Sequence, residues 1–361
     1  MSEKKEKREV CFIMPSLEGG GAERVTSILC NRFVEDGYRV TIYLLDRAGV
    51  EYSLDERITV DKSLISNKRG LSRAIRRIAG IRKVMLQKPD AQYISFISMH
   101  NLYTMLAAIG IKRDIIVSER LDPQKSIPDY AFLHKLRNIL YSKAKNVVFQ
   151  TPDAMSFFPE TIQRKGLIIV NPLKENLPDQ YSGIRRKAVV TFARLEQQKN
   201  YPLLIEAFEK FSKIHPDYTL EIYGKGIMEE TLKQMVVSKN LEDKVQFLGF
   251  CSSVHTQTLD AAMFVLPSDY EGLSNSMLEA MAIGLPVICT DCPPGGARMM
   301  IQNKENGLLT SVGDVESLCQ AMCYMADNPD RAQEMGQEAT KVREKLSLDA
   351  ICTQWENLID A

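Results

Sequence analysis

The stretch VCFIMPSLEGGGAER, residues 10–24, decides the fold class of this chain. Its first five residues are apolar and typical of a buried strand, and the glycines at 19–21 mark a turn before a helical pattern begins. A strand that enters a helix through a glycine-rich turn is the first half of a βαβ unit. The chain is therefore predicted to open with an α/β domain.

The same alternation fills the first half of the chain. The pattern predicts strands at 10–14, 39–45, 93–97, 115–118 and 147–150, separated by helices near 21–36, 70–88, 100–110 and 130–143. Crossovers of this kind are right-handed and produce a parallel sheet that helices cover on both faces.

A second α/β pattern follows a polar segment at 171–183 that suits an interdomain linker. It predicts strands at 188–193, 219–223, 245–248, 263–266 and 286–290, with helices near 201–214, 227–239, 276–283, 314–327 and 330–345. A length of 361 residues also suits two domains. We therefore expect two doubly wound domains whose strand carboxyl ends face a common cleft, the default active site.

Composition argues against a disordered or membrane-spanning chain. Hydrophobic residues make up 45% and charged residues 25%, and no apolar run approaches the roughly 18 residues that cross a bilayer. The N-terminus lacks a signal-peptide pattern, so a cytoplasmic location is expected, with the eight Cys reduced and mostly buried. Residues 1–178 carry 29 basic and 20 acidic side chains, and residues 179–361 carry 17 and 26. The two halves are thus expected to contact different partners, and no nucleic acid.

The glycine turn at 19–21 has three interpretations. Consecutive glycines before a helix N-terminus allow the backbone to approach a phosphate or sugar. A dinucleotide site is an alternative because Asp46 ends the second predicted strand, but Arg24 stands where that fingerprint needs glycine. The third interpretation is a plain turn without a ligand.

Two glutamates lie in PSDYEGLSNSMLEAMA, residues 267–282, which follows a predicted buried strand. Ser274 or Asn275 can cap the next helix. Glu271 then lies in the loop and Glu279 early in the helix, where a charged acceptor can bind paired ribose hydroxyls. Amides at 272–275 can hold phosphate or sugar oxygens. An ordinary capped helix with two solvent-facing carboxylates is the alternative.

Two cations, Arg194 and Lys199, flank the turn after the strand at 188–193. Cations at the carboxyl end of a parallel strand can stabilise a diphosphate leaving group. Solvated surface charges are the alternative interpretation. The sequence contains no Walker motif and no Asp-x-Asp motif, so no metal site is expected.

Together these motifs resemble glycosyltransferase family 4. The resemblance is carried by GGGAER at 19–24, the Asn171-Pro172 pair, the Arg194/Lys199 turn, the two glutamates, and GLPVI at 284–288. It implies a GT-B fold of two Rossmann-like domains. It also implies a retaining, metal-independent transferase that uses a nucleotide sugar and needs no cofactor.

The resemblance implies roles for individual residues. Arg194 and Lys199 would clamp the diphosphate. Glu279 would bind the ribose and Glu271 the donor sugar. The remaining donor contacts would be backbone groups of Gly20, Gly21, Gly272, Leu273, Ser274 and Asn275.

The acceptor side departs from the family's usual pattern. Members commonly have a His after the fifth strand, where this chain has Ser-Glu-Arg at 118–120. That sequence resembles the variant of polysaccharide-assembly members. It leaves Glu119, Arg120 and His100 as alternatives for the acceptor-side role.

The resemblance also implies a domain plan: an acceptor domain at 1–172, a linker at 173–184, a nucleotide-sugar domain at 185–346 and a last helix at 347–361 that returns to the first domain. The expected reaction moves a hexose or N-acetylhexosamine from a UDP-sugar to a glycan acceptor in capsule, O-antigen or exopolysaccharide assembly. We expect this acceptor to be lipid-linked. A non-catalytic sugar-nucleotide-binding subunit and an NAD-linked enzyme are the rival hypotheses.

A strongly basic helix is predicted at 68–88. It has eight Lys or Arg and no acidic residue, with an apolar stripe at Leu71, Ile75, Ile78 and Met85. The stripe could face the core and the basic face could simply be solvated. The amount of positive charge favours an anionic inner-membrane surface, and hence a peripheral protein.

Overall fold

A computed structural model describes residues 7–361 of the chain, and internal contacts divide it into two units. The first unit runs to Pro172 and also includes Asp349–Ala361. The second unit is Leu173–Leu348, so the segment predicted as a linker, 173–184, is grouped with it.

The first unit contains a parallel sheet in the order β3-β2-β1-β4-β5-β6-β7. Its strands are β1 (Glu9–Met14), β2 (Arg39–Leu44), β3 (Thr59–Asp61), β4 (Gln92–Phe96), β5 (Ile115–Ser118), β6 (Asn146–Phe149) and β7 (Gly166–Ile168). The central strand β1 pairs in parallel with β2 and β4. β4 and β5 are buried throughout, as expected where helices cover both faces of a sheet.

Helices cover the two faces of this sheet in separate layers. They are α1 (Gly21–Glu35), α2 (Gly70–Gln87), α3 (Ser98–Ala107), α4 (Ala131–Tyr141), α5 (Pro152–Ser156), α6 (Glu160–Gln163) and, from the end of the chain, α15 (Leu348–Asp360). Cys11 and Ile13 share a hydrophobic cluster with residues of α2, α3 and α4. Phe12, which points to the opposite face, contacts Phe33 of α1.

The last helix, α15, packs into the first unit. The side chain of Trp355 is fully buried, and its ring lies 5.7 Å from that of Phe96, centroid to centroid. The Tyr38 hydroxyl donates a hydrogen bond to Asp360 at 2.7 Å. These contacts place the end of the chain on the α1 side of the sheet.

The second unit repeats the architecture with a parallel sheet in the order β10-β9-β8-β11-β12-β13. Its strands are β8 (Arg186–Phe192), β9 (Thr219–Tyr223), β10 (Val245–Gly249), β11 (Ala261–Leu266), β12 (Val287–Thr290) and β13 (Leu308–Thr310). Its helices are α7 (Tyr201–Ile214), α8 (Glu229–Ser238), α9 (Val254–Gln257), α10 (Asn275–Ala282), α11 (Gly296–Met300), α12 (Val315–Asp327), α13 (Pro329–Ala339) and α14 (Val342–Lys345). The two sheets confirm the predicted pair of doubly wound, Rossmann-like domains. Among residues 7–361, no helix is both long and apolar enough to cross a bilayer.

Candidate active site

The loop after β8 is fixed by a close approach to the loop after β9. A Cβ atom at Gly224 would lie 2.0 Å from the carbonyl oxygen of Ala193, and one at Gly226 would lie 2.3 Å from that of Leu195. Only glycine allows such contacts between backbones. The Leu195 amide also donates to the Lys225 carbonyl at 3.0 Å, so the path of the β8 loop is fixed on both sides of Arg194 and before the loop reaches Lys199.

Lys199 lies inside the second unit. It ends a short 3-10 turn, Gln197–Lys199, and Asn200, with a φ of 44°, turns the chain into α7. Only 9% of the Lys199 side chain is exposed, and its ammonium group forms an ion pair with Glu271. This burial excludes the interpretation of Lys199 as a solvated surface charge.

Glu271 receives three side-chain donors on one oxygen. Its Oε2 atom accepts from the ammonium of Lys199, from Nε2 of Gln198 at 3.3 Å and from the hydroxyl of Ser268 at 3.3 Å. Burial and, to a smaller extent, the negative charge of Glu271 raise the pKa of the nearby Cys292 thiol to about 12. The loops after β8 and β11 therefore meet in one charged cluster at the carboxyl edge of the sheet.

The loop at 272–275 joins this cluster to α10. The Ser274 hydroxyl caps the helix by accepting from the Met277 amide at 3.5 Å, which confirms the predicted cap. A Cβ atom at Gly296 would lie 1.9 Å from the Gly272 carbonyl, so the loop rests directly on the first turn of α11. Glu271 and Ser274 line the same small cavity.

Glu279 is a buried residue of α10 and has a partner that the sequence did not indicate. Its Oε2 atom lies 2.8 Å from Nε2 of His255, and both side chains are more than nine-tenths buried. The His255 ring in turn packs edge-on against Phe192, with centroids 5.7 Å apart. The alternative of a solvent-facing carboxylate is therefore wrong for Glu279. His255 precedes Glu279 by 24 positions, and no spacing rule could have linked the two.

Arg194 stands apart from the Lys199–Glu271 pair. Its side chain is 58% exposed and forms an ion pair with Glu196 at 2.9 Å. It is an exposed cation on the loop that carries Lys199. The two predicted cations thus differ sharply in burial.

The glycine turn of the first unit leads directly into α1. Gly20 is the N-cap residue of this helix, and Gly21 begins it. The hydroxyl of Tyr52 donates to the Gly20 carbonyl at 2.9 Å. A Cβ atom at Gly20 would lie 1.7 Å from a carboxylate oxygen of Glu23, so this side chain occupies the space that the glycine leaves.

His100 and Asp46 form a cluster with Arg77 at the carboxyl edge of the first sheet. The two oxygens of Asp46 bond to the Arg77 guanidinium and, at 3.2 Å, to Nε2 of His100. Burial, and secondarily the charge of Arg77, lowers the pKa of His100 to about 4. These contacts oppose the dinucleotide interpretation, in which Asp46 would bind a ribose. They also correct the prediction for the basic helix, because Arg77 is buried rather than on its exposed face.

Glu119 and Arg120 are turned into the interior of the first unit. The Oε2 atom of Glu119 accepts from the Ser98 hydroxyl at 2.6 Å, and its Oε1 atom accepts from the Tyr141 hydroxyl. The Arg120 guanidinium lies 4.0 Å above the Phe96 ring, and burial lowers its pKa to about 9. This geometry does not favour Glu119 in the acceptor-side role that the sequence left open, because both of its oxygens are committed to structural bonds.

Within residues 7–361, no three or more His, Cys, Asp or Glu side chains are grouped so that they could hold a metal ion. In the second unit, polar side chains are arranged in two buried pairs, Lys199 with Glu271 and His255 with Glu279. Such an arrangement offers a cation for an anionic leaving group and carboxylates for hydroxyl groups.

Comparison with known proteins shows which family the second domain resembles. Residues 176–342 match the family described as "Glycosyl transferases group 1". An uncharacterized glycosyltransferase of Haemophilus influenzae is 24% identical over 360 residues, covering 96% of this chain and 98% of that protein.

A second relative carries a specific name. It is the N-acetylgalactosamine-N,N'-diacetylbacillosaminyl-diphospho-undecaprenol 4-alpha-N-acetylgalactosaminyltransferase of Campylobacter jejuni, 27% identical over 271 residues, covering 71% of this chain and 72% of that one. Among solved structures, Anabaena Alr3699/HepE in complex with UDP superposes with a TM-score of 0.82 at 18% identity, covering 98% of this chain and 99% of that one. The second domain thus matches the group 1 glycosyl transferases, and a relative that aligns with nearly the whole chain is named a glycosyltransferase.

Proposed function

We propose that this protein transfers a hexose or N-acetylhexosamine from a UDP-sugar to a lipid-linked glycan acceptor in bacterial surface-polysaccharide assembly. The observation that carries the proposal is the buried ion pair between Lys199 and Glu271. Arg194 lies on the same loop as Lys199 and adds a second, exposed cation. The name of the Campylobacter jejuni relative, which includes a diphospho-undecaprenol acceptor, supports the acceptor class. The UDP in the Anabaena structure supports the nucleotide.

The donor would bind along the carboxyl edge of the second sheet. Glu279 would accept hydrogen bonds from the ribose hydroxyls, with His255 fixing the orientation of its carboxylate. Backbone groups of Gly272, Leu273, Ser274 and Asn275 would hold sugar and phosphate oxygens at the start of α10. Glu271 would contact the sugar itself.

Catalysis would depend on charge and position. The acceptor hydroxyl attacks the anomeric carbon on the face from which the diphosphate leaves, so the configuration is retained. The bond from this carbon to the diphosphate oxygen breaks, the bond to the acceptor oxygen forms, and a diphosphate oxygen takes the acceptor proton. Lys199 and Arg194 would stabilise the developing negative charge in place of a metal ion.

The first domain would hold the acceptor. Gly20 and Gly21 would admit phosphate and sugar groups near the start of α1, with the Glu23 side chain leaving the space that it fills beside Gly20. His100 would act through Asp46, because its Nε2 atom is bonded to that carboxylate and Asp46 is the more exposed of the two. In this proposal, Asp46 contacts an acceptor hydroxyl and Arg77 and His100 hold it in place.

The first domain would also contact a membrane surface. The helix α2 carries Lys and Arg side chains and no carboxylate, which suits an anionic inner leaflet. The protein would then be cytoplasmic and peripheral, with its acceptor supplied from the bilayer.

The test is a panel of nucleotide sugars, each offered with and without a short-chain lipid-diphosphate glycan. A UDP-sugar should raise the melting temperature, because a ligand at 100 times its Kd adds about 2.7 kcal/mol of stability, and it should give a glycosylated product. Stabilisation by UDP-sugars without product across the panel would favour the non-catalytic subunit. Stabilisation by NAD and not by UDP would overturn the proposal.

A further inference from the structure

The outward face of α4 is apolar although the helix lies at the protein surface. Phe132 is 66% exposed, and Lys135 and Ile139 follow it at helical spacing on the same exposed face. Tyr130, just before the helix, is 61% exposed, and its ring stacks on that of Phe132 with centroids 6.0 Å apart. Two large aromatic rings therefore contact each other and water, which leaves their apolar surface unburied.

The inward face of α4 is firmly packed. Arg137 is fully buried, with its guanidinium bonded to the Pro123 carbonyl at 2.8 Å and lying 4.7 Å from the Phe158 ring. Leu140 and Tyr141 belong to the hydrophobic core. The helix cannot rotate its aromatic face inward without losing these contacts, so that face is available to a partner.

The exposed faces of α4 and α2 belong to one helical layer, because α3 packs against both helices. On α2, Leu71 is 78% and Ile75 is 59% exposed, one helical turn apart. The predicted apolar stripe of this helix is thus divided, since Met85 is buried in the core. Both helices therefore present apolar side chains to solvent on the same side of the sheet.

Charge distinguishes this layer from the opposite one. The sequences of α2, α3 and α4 contain no Asp or Glu, whereas α1 and α15 on the other face contain several. Arg76 and Lys83 are exposed on α2, and Lys68 and Arg69 are exposed just before it. Lys135 is exposed on α4, and Lys143 just after it. One exposed carboxylate, that of Asp129, directly precedes Tyr130 and lies 3.5 Å from Nε2 of His134. The apolar surface still has more basic than acidic side chains around it, so it is complementary to an anionic lipid interface.

We propose that Tyr130, Phe132 and Ile139 form an apolar anchor that inserts into the interfacial region of an anionic bilayer. This inference rests on the proposed function and deepens it, because it divides the membrane contact between two helices. The basic face of α2 attracts the protein by charge, whereas the α4 anchor holds it by apolar burial. Aromatic rings favour the lipid interface, and the neighbouring lysines can extend to the headgroups.

The two contributions respond differently to salt, and this difference provides the test. The full chain is mixed with phosphatidylglycerol-containing vesicles or with phosphatidylcholine vesicles, at low and high ionic strength. Wild-type protein should bind the anionic vesicles at low salt and keep part of that binding at high salt. High salt screens the attraction between basic side chains and anionic lipids, but it does not weaken the burial of apolar side chains in the bilayer.

The double variant Tyr130→Ser/Phe132→Ser should reduce vesicle partitioning at least tenfold and abolish the salt-resistant fraction. A matched control is Ile214→Ser/Val237→Ser, which removes two exposed apolar side chains from the second domain and should bind like wild type. The charge variant Arg73→Glu/Arg76→Glu/Lys83→Glu should lose mainly the salt-sensitive fraction. It omits Arg77, which is buried.

Unchanged vesicle binding by the aromatic double variant would refute the proposal that these side chains anchor the protein. Loss of self-association on gel filtration in that variant, with vesicle binding intact, would identify the face as a protein contact and would also overturn it. Transfer to a water-soluble acceptor separates the two proposals, because the aromatic double variant should keep wild-type turnover there. If the wild-type protein shows no transfer at all, the proposed function fails while vesicle binding still reports on the anchor.

Discussion

Replacing Lys199 by Met should destabilise the second domain even without substrate. The ammonium of Lys199 is the charged partner of the largely buried Glu271 carboxylate, which also accepts from two neutral donors at 3.3 Å. Removing one member of a buried ion pair costs about 3–5 kcal/mol, because the remaining charge keeps its desolvation penalty. For a domain of this size, such a loss lowers the melting temperature by roughly 6–20 °C.

The assay is thermal and urea unfolding of the full chain beside a matched control. Lys210→Met removes another lysine from an ion pair in the same domain, but Lys210 and its partner Glu316 are each more than half exposed. An exposed pair contributes about 0–1 kcal/mol, so this variant should unfold almost like wild type. The double variant Lys199→Met/Glu271→Gln should recover most of the lost stability because no unpaired charge remains. If Lys199→Met is no less stable than Lys210→Met, the reasoning from the buried pair is wrong.

The other predictions concern activity and the last helix. Glu279→Gln should raise the donor KM, equivalent to a loss of roughly 1–3 kcal/mol in donor binding free energy. Glu271→Gln should mainly lower kcat, equivalent to a loss of roughly 1–3 kcal/mol in transition-state stabilisation. Wild-type kinetics in both variants would contradict these roles. Transfer should survive EDTA, and Arg194→Gln should lower kcat more than tenfold; activity that disappears with chelator and returns with manganese would point to a metal instead. Trp355→Ala should cost the first domain about 3–5 kcal/mol, and deletion of 347–361 should cost more; unchanged melting curves would show that α15 contributes little.

The arrangement of secondary structure was predictable because it depends on local hydrophobic patterns. The alternation of short apolar runs and amphipathic segments predicted the buried strands of both sheets, including 115–118 and 219–223 with their exact bounds. The pattern missed β3, β7 and β13, which are three-residue strands at the edges of the sheets. Strands this short carry too few residues for a periodic signal, and their pairing depends on a neighbouring strand that is already in place.

The sequence by itself also determined which residue types stand at the ends of strands, and so it pointed to Arg194, Lys199, Glu271 and Glu279. It could not determine their partners. Lys199 and Glu271 are 72 positions apart, and only the parallel order of β8 and β11 brings their loops together. His255 and Glu279 are also distant in sequence, and only the folded domain brings their side chains together.

The tertiary structure likewise decided which charges face water. On the basic helix α2, Arg77 has the same local sequence context as its neighbours, yet it is buried because Asp46 and His100 lie at the adjacent sheet edge. Leu71 and Ile75 remain exposed because the helix contacts the core mainly through its later turns, at Ile81, Val84 and Met85. A helical period identifies the side chains that share a face, but which face is buried depends on contacts between segments far apart in the chain.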